Sequence, residues 1–292
     1  MTKRILEAAD DNFDYQTELQ EIQSTFGRRP FRVVKPKSEF PQLFVTVPDS
    51  WPSIKLAPLY DVHIGSREHD EKLFSKHRDW LATEPNVLTW NGGDMFENVT
   101  PQQGKMGHTP MSPEEQLVSA VQELAPIQHK MLFSLPGNHE NRTFAASGMS
   151  ASRRLADDLQ LPYFPDYAFC TIFWRGNRFR LLAHHGAGGA TTAGAQRNSA
   201  RKELPWAKPD LLWTGHLHQP LVDIVFATEV DQKTQEVYER DLVVIISPSY
   251  LRYFGGYAAA MRLGPGMRGL SVAELQEDGR IDMNVHARGR RL

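Results

Sequence analysis

The sequence predicts an α/β fold. From residue 54 onward short apolar runs alternate with helix-patterned segments, and each run ends in a cluster of polar residues. The composition is that of an ordinary globular chain: 292 residues, 40% of them hydrophobic, with 33 Lys and Arg against 35 Asp and Glu for a net charge of −2. This excludes collagen-like, disordered and strongly basic nucleic-acid-coating proteins. No apolar run approaches the roughly 18 residues of a membrane span, and Met1 to Asp10 lacks the apolar core of a signal peptide. The expectation is a cytoplasmic protein with no membrane partner. Cys170 is the only cysteine, which excludes intrachain disulfides and thiolate-rich metal sites and leaves His, Asp, Glu and Asn as metal ligands. Within Ala168-Phe169-Cys170-Thr171-Ile172 it reads as a small buried apolar residue.

Residues 1–27 read as a helix, with Ile5, Leu6, Ala9, Phe13, Leu19, Ile22 and Phe26 at roughly helical spacing and Gly27 at its end; it could pack on the body or on a partner protein. From Arg28 to Pro52 five prolines mark a linker-like stretch holding one strand candidate, Phe44 to Val47. Two regions are thus expected: an extension of helix and proline-rich linker over 1–52, and the main domain over 53–292. Ile54 to Tyr60, Val87 to Trp90, Met131 to Leu135, Phe179 to Ala183 and Leu211 to Trp213 are strand candidates, and their alternation with helices predicts βαβ crossovers and largely parallel pairing. Pro58 suggests an edge position or a bulge in the first of them. The clearest helix runs from Ser112 to about Gln128, with Ser112 and Glu115 forming a capping box, Pro113 at the first position and Pro126 kinking or ending it. Past residue 219, Leu221 to Val230, Val237 to Ile246, Leu270 to Leu275 and Ile281 to Val285 alternate with turn residues and predict antiparallel strands.

Polar residues gather where the apolar runs end: Asp61-Val62-His63, Gly92-Gly93-Asp94, Gly137-Asn138-His139-Glu140, His184-His185-Gly186 and Gly215-His216-Leu217-His218. Ligands of open α/β sheets bind outside the carboxyl ends of strands, so the clusters are expected on one rim. On an extended backbone the i, i+2 spacing of Asp61 and His63, and of His216 and His218, puts both side chains on one face, as two ligands of one metal require. Each cluster alone reads as a strand-end turn. Five in order, at intervals of roughly 30 to 45 residues that suit strand–helix–strand crossovers, point to a shared site.

The order D-x-H, GD, GNHE, a strand-end His, then GHxH resembles the signature of the calcineurin-like metallophosphoesterase superfamily over about residues 54 to 220. The resemblance implies a four-layer α-β-β-α sandwich, two mixed β-sheets flanked by helices, holding two divalent metal ions. By motif position Asp61, His63 and His218 would hold the first metal, Asp94 would bridge, and Asn138, His184 and His216 would hold the second. His184 is preferred over His185 as the strand-end ligand because it directly follows Leu181-Leu182-Ala183. His139 would be the catalytic histidine. Glu97 stands where protein phosphatases of the superfamily carry an aspartate that orients this histidine, and would take that role here, or is a solvated surface carboxylate. Two cations about 3.5 to 4 Å apart clamp a phosphoryl group and supply a bridging hydroxide at neutral pH, while a protonated His139 could donate to the leaving oxygen. Such ligands fit Mn, Fe, Zn, Co or Ni, with Mn favoured.

Arg142, three residues after His139, is placed to bind a phosphate oxygen, or is a solvent-facing arginine. The small-residue stretch Gly186 to Gly194 is either a flexible loop or a source of backbone N–H groups for phosphate. Tyr250, Tyr253, Phe254 and Tyr257 read as a hydrophobic cluster, or as a stacking surface for bases; Arg288, Arg290 and Arg291 read as a frayed tail, or as phosphate contacts. The expected function is a metal-dependent phosphoester hydrolase, a phosphodiesterase acting on nucleotides or nucleic-acid ends. This diester preference comes from the GNHE-Asn141-Arg142 context and the aromatic tail, which look like those of bacterial and phage members of the superfamily. The alternatives are an inactive metal-binding scaffold, a phosphomonoesterase or protein phosphatase, and a nuclease subunit processing DNA ends.

Overall fold

Side chains at every second position of a strand share a face of the sheet, and here that periodicity sorts the apolar residues into cores separating four layers. The computed structural model describes residues 15–99, 109–254, 266–287 and 290–291. One sheet has seven strands, in the order β1 (Arg32–Val34), β2 (Gln42–Thr46), β6 (Tyr167–Trp174), β7 (Asn177–His184), β8 (Leu211–Thr214), β10 (Val237–Ile246) and β9 (Leu221–Val230). The other has six, β13 (Arg290–Arg291), β12 (Ile281–Ala287), β11 (Gly269–Leu275), β3 (Ile54–Leu56), β4 (Val87–Asn91) and β5 (Met131–Ser134).

The sheets pack face to face over a central core to which Leu43, Ile172, Leu181, Trp213 and Ile245 contribute from one side and Ile54, Leu56, Trp90, Leu132 and Leu275 from the other. Helices α1 (Tyr15–Ser24), α2 (Glu71–Thr83), α3 (Pro113–Leu124) and α5 (Ala151–Asp158) cover the outside of the six-stranded sheet. They do so through Leu19, Phe74, Leu124 and Leu155, set against Val87, Met131 and Val272. Helices α6 (Ala193–Ala200) and α7 (Leu204–Ala207) cover the seven-stranded sheet with Ala200 and Leu204 over Leu182, Leu212 and Val244. β10 shows the rule within one strand: Val243 and Ile245 face the central core, Leu242, Val244 and Ile246 the helices.

The expected parallel strands divide between the two sheets. β3, β4 and β5 run parallel in one, and β7, β8 and β10 in the other. The antiparallel pairs β9–β10 and β11–β12 edge different sheets rather than forming a separate half. The hairpin β6–β7 turns on Arg175-Gly176, both at positive φ (48° and 80°), the backbone of a tight two-residue hairpin turn.

Residues 28–52 do not form a linker, and the expected boundary at 52/53 falls inside one body. β2 pairs parallel to β6, and Phe31, Leu43, Val45, Val47 and Trp51 are buried in the central core. Pro36, Pro41 and Pro48 flank the strands, where a missing N–H breaks no ladder. Of the expected N-terminal helix, α1 packs on this same body: the Tyr15 hydroxyl donates to the Asp158 carboxylate and Gln23 Nε2 to the Asp158 carbonyl at 2.8 Å. Ile5, Leu6, Ala9 and Phe13 lie outside the described residues. β3 is not an edge strand. Ala57 and Leu59 donate to the β4 carbonyls of Leu88 and Trp90, so Pro58 lacks its donor on the β11 side, where pairing has ended at Leu56. α3 carries the full capping box at Ser112 and Glu115, and beyond Leu124 the chain tightens to a 3₁₀ turn over Ala125–Lys130, where Pro126 cannot extend the α-helical ladder. Among the described residues no helix is long and apolar enough to cross a membrane.

Candidate metal centre

Five loops meet at the carboxyl ends of β3, β4, β5, β7 and β8. Among the described residues three groups of potential ligands converge there, Asp61 with His63 and His218, Asp94 with His185 and His216, and His63 with Glu97 and His139; within each group the ligand atoms lie within 4.8 Å of one another. Asp61, His63 and Asp94 are buried. The i, i+2 pairs do not lie on extended backbone: Asp61, His63, Asp94, His216 and His218 all have left-handed φ values, between 50° and 67°. Each strand ends and curls, and this curl sends His216 and His218 to different groups rather than to one. Such backbone costs about 1 kcal/mol or more per non-glycine residue and persists where the surroundings hold it. Gly93 and Gly137 permit the loops to touch. A Cβ at Gly93, itself at φ 96°, would come 2.7 Å from the Gly137 nitrogen and His185 Nδ1, and one at Gly137 would overlap the Asp94 carboxylate.

The imidazoles are held from behind. His63 Nδ1 lies 3.0 Å from Glu97 Oε2, His185 Nδ1 3.0 Å from the Gly92 carbonyl and His216 Nε2 2.8 Å from the Gly188 carbonyl. These partners accept only, so the ring nitrogens facing them donate. The opposite nitrogens point into the site. His63 Nε2 is buried without a partner, His185 Nε2 lies 3.2 Å from both Asp94 Oδ2 and Asn138 Oδ1, and His216 Nδ1 lies 2.8 Å from Asn138 Oδ1. His218 Nε2 is 3.2 Å from Asp61 Oδ1. Histidine ligands of metals characteristically donate their second N–H in this way, so the donor set fits divalent cations.

Charge balance fits as well. Burial raises the Asp94 carboxyl, but His185 and then His139 outweigh that and hold it well below the usual carboxylate range. Burial disfavours the His185 cation, yet Asp94 and Asp61 push its pKa up to about 10. The two buried carboxylates thus draw positive charge onto the nearest imidazole.

Of the sequence-predicted residues, Asp61, His63, Asp94, Asn138, His216 and His218 come together. His184 does not. It is the last residue of β7 and its side chain turns to the other side of the strand, with Nε2 3.6 Å from Glu203 Oε2 and its ring against Tyr167. His185, one residue on, enters the site, because neighbouring strand residues point to opposite faces. His139 sits at the rim with Nε2 3.8 Å from Asp94 Oδ2. Its Nδ1 donates to the Glu97 backbone carbonyl at 2.8 Å, and Arg142 Nη2 donates to its Nε2 at 2.9 Å. The Arg142 donor requires the lone pair of a neutral imidazole on Nε2, and burial lowers the pKa of the ring to about 4. These hydrogen bonds select the accepting form of Nε2, not the protonated form that could donate to a leaving oxygen. The Glu97 carboxylate orients His63 at 3.0 Å rather than His139, from which it stands 3.7 Å away; only its backbone carbonyl serves His139. Arg142 is neither free nor solvent-facing, since Nη1 also donates to the Glu97 carbonyl at 3.0 Å.

Glu140 had no role in the sequence reading, although it is the last letter of GNHE. Its buried carboxylate accepts from the backbone N–H groups of Asp94 (3.1 Å), Phe96 (3.0 Å) and Gly137 (2.8 Å), tying the β4 loop to the β5 loop. Asn98 adds a second tie, donating to the His139 carbonyl at 2.7 Å. Tyr250 is buried against Phe74 and His77, as a hydrophobic cluster requires, whereas Phe254 is exposed; Tyr257 and Arg288 lie outside the described residues.

No protein-family model matches the chain, and no curated protein matches it. Solved structures similar to it include a conserved protein from Streptococcus pneumoniae described as a predicted phosphoesterase, at 11% identity and TM-score 0.35, covering 82% of this chain and 100% of that one. They also include Vps29 from Entamoeba histolytica complexed with Zn²⁺, at 11% identity and TM-score 0.38, covering 80% of this chain and 99% of the other. With TM-scores below 0.5, the functional reading is left to the chain's own strand order and side-chain geometry.

Proposed function

We propose that the chain is a metal-dependent phosphoester hydrolase of the calcineurin-like metallophosphoesterase superfamily, acting on phosphodiesters of nucleotides or nucleic-acid ends with two divalent metal ions, manganese favoured. One observation carries the reading: imidazoles turn a ring nitrogen toward two buried carboxylates and Asn138, and His63 Nε2 among them is buried without a partner. Asp61, His63 and His218 would hold one ion and Asn138, His185 and His216 the other, with Asp94 between them. When bound, such ions polarise a phosphoryl oxygen and bring the pKa of water toward neutrality.

The remaining work falls to this chain's own groups. Arg142 brings a fixed positive charge to the rim of the site, where it can meet a phosphoryl oxygen. The Glu97 carbonyl and Arg142 fix one tautomer of His139, and Nε2, which accepts from Arg142 in this arrangement, is free to take a proton once Arg142 turns to the phosphoryl group. An acceptor there takes up a proton during attack and returns it to the leaving oxygen. Glu97 holds His63 in register, and Glu140 holds the loops that carry Asp94 and Asn138.

The test is metal content of the purified protein by mass spectrometry, together with turnover of bis- and mono-nitrophenyl phosphate with and without manganese. Two metals per chain with diester turnover are expected. Asp94→Ala should abolish metal-dependent turnover, and His139→Ala should retain metal while slowing turnover by about 10² to 10⁴. Failure to bind metal on reconstitution would sink the reading, and metal binding without turnover would favour a scaffold.

A further inference from the structure

Helices shield only part of the seven-stranded sheet. α6 and α7 lie over Leu182, Leu212 and Val244, but toward the β1 edge the outer face stays open: Val34, Phe44 and Phe173 are 37 to 39% exposed, and Trp206 in α7 is 57% exposed. Register fixes what this face carries. Arg32, Phe173 and Arg178 share one cross-strand row, Val34, Phe44 and Arg180 the next, and Phe169 the one after. The rings follow one another along it, Phe44 and Phe173 with centroids 6.1 Å apart, Phe169 and Trp206 6.1 Å, Trp206 and Tyr167 5.7 Å. Tyr167 also lines a cavity of about 370 Å³ that touches Asn138 and His185. The aromatic row therefore starts at the metal centre and runs along β6 to Phe173, a distance of about 20 Å at the usual strand rise.

Charge says what fits this face. In β1, β2, β6 and β7 no outward position holds a carboxylate. Arg180 is paired with Asp210 at 2.9 Å, whereas Arg32 and Arg178 are exposed and have no ion pair among the described residues. The connection from β1 to β2, at the rim end of the face, adds exposed Lys35, Lys37 and Phe40 against Glu39. Uncompensated arginines between exposed rings suit a polyanion that also offers flat apolar faces. A duplex keeps its base faces against one another, so only a single strand can use the rings and the cations together.

We propose that the open outer face of β1, β2 and β6 is a track for single-stranded nucleic acid, with bases stacked on Phe44, Phe173, Phe169 and Trp206, phosphates met by Arg32 and Arg178, and the strand led toward the metal centre. Cleavage of that strand rests on the hydrolase reading above, but its binding to the track does not. Fluorescence anisotropy with labelled oligothymidylate, oligouridylate and a duplex of the same length, on protein kept in chelator, isolates binding from any metal chemistry. At least one single strand should bind at least tenfold more tightly than the duplex, and the ratio between the two strands tells DNA from RNA. Trp206→Ala combined with Phe173→Ala should weaken binding at least tenfold. Arg32→Gln combined with Arg178→Gln should weaken it too and flatten the slope of log K against log salt by about 1.4, at about 0.7 per phosphate contact. This second pair carries the test if circular dichroism shows the aromatic variant unfolded, and both variants should keep nitrophenyl ester turnover when loaded with metal. No single-strand binding up to about 10⁻⁴ M at physiological salt, duplex binding as tight as single-strand binding, or unchanged affinity and slope in the folded variants would overturn the track. A dimer in sedimentation that Phe44→Ala dissociates, without oligonucleotide binding, would give the face to a second copy of the chain instead. Nitrophenyl ester turnover without strand binding would leave the hydrolase standing and remove the track. Strand binding without turnover by metal-loaded protein would do the reverse.

Discussion

Two adjacent histidines stand at the end of β7, His184 its last residue and His185 the next, and a single peptide step decides which of them enters the site. From sequence the last apolar residue before the pair, Ala183, made His184 the nearer candidate. The strand continues through His184, however, and alternation turns its ring toward Glu203 and Tyr167 while His185 faces Asp94. The signal was present in the apolar run: Leu182 faces the helices and Leu181 and Ala183 the central core, so side assignment along β7 gives the direction of each histidine. His185→Ala should therefore lose about one equivalent of metal on dialysis, whereas His184→Ala should retain the wild-type content. Mass spectrometry of both variants checks this, and the opposite pattern would return the ligand to His184. Glu97 teaches a related lesson. Spacing within the motif located the residue, but a carboxylate one methylene longer than aspartate reaches past His139 to His63, and only the structure shows which imidazole it serves.

At the level of elements, strands with a clear apolar run or a capping signal were legible. β4, β5, β8, β9 and β10 stand where the sequence places them, β3 starts at the expected Ile54 but ends at Leu56 rather than Tyr60, and α3 starts at the capping box of Ser112. β2 reads as a strand within a linker, because the density of prolines around it masks the alternation of Leu43, Val45 and Val47. β6 shows in sequence only as an apolar stretch around Cys170, and Arg175-Gly176 gives a single glycine as its turn signal. Glu140 went unread for a different reason: a buried carboxylate that accepts three backbone N–H groups depends on two loops meeting, and no local pattern announces that. Its substitution is thus the sharper test of how the site is built. Glu140→Ala leaves three buried donors unpaired, at about 1 to 3 kcal/mol each, and frees the loops bearing Asp94 and Asn138. A fall in urea stability of several kcal/mol is expected, together with lost metal binding, while Glu140→Gln should keep part of both. Wild-type stability in Glu140→Ala would show that the loops are held by other contacts.

Across the whole molecule, the two sheets bring their carboxyl ends to a single edge, so neither sheet alone completes the site. Asp61, Asp94 and Asn138 come from the six-stranded sheet, and His185, His216 and His218 from the seven-stranded one. The order of the five clusters in the sequence located this edge, but their division between two sheets came from the resemblance and not from periodicity, since parallel strands read the same in one sheet or two. The arrangement has a thermodynamic consequence. Ligands contributed from both sheets bind a cation only when the sheets are docked, so bound metal stabilises the folded chain as a ligand that the unfolded chain lacks. At a free metal concentration 100 times Kd this amounts to about 2.7 kcal/mol per site. For a chain of this size each kcal/mol moves the melting temperature by roughly 2 to 4 °C. Chelation should therefore lower Tm by at least roughly 5 °C, and manganese should restore it in a concentration-dependent way. Asp94→Ala should melt at one temperature with and without manganese. A Tm of the wild-type chain indifferent to chelator and metal would mean that the two halves of the site do not close around an ion.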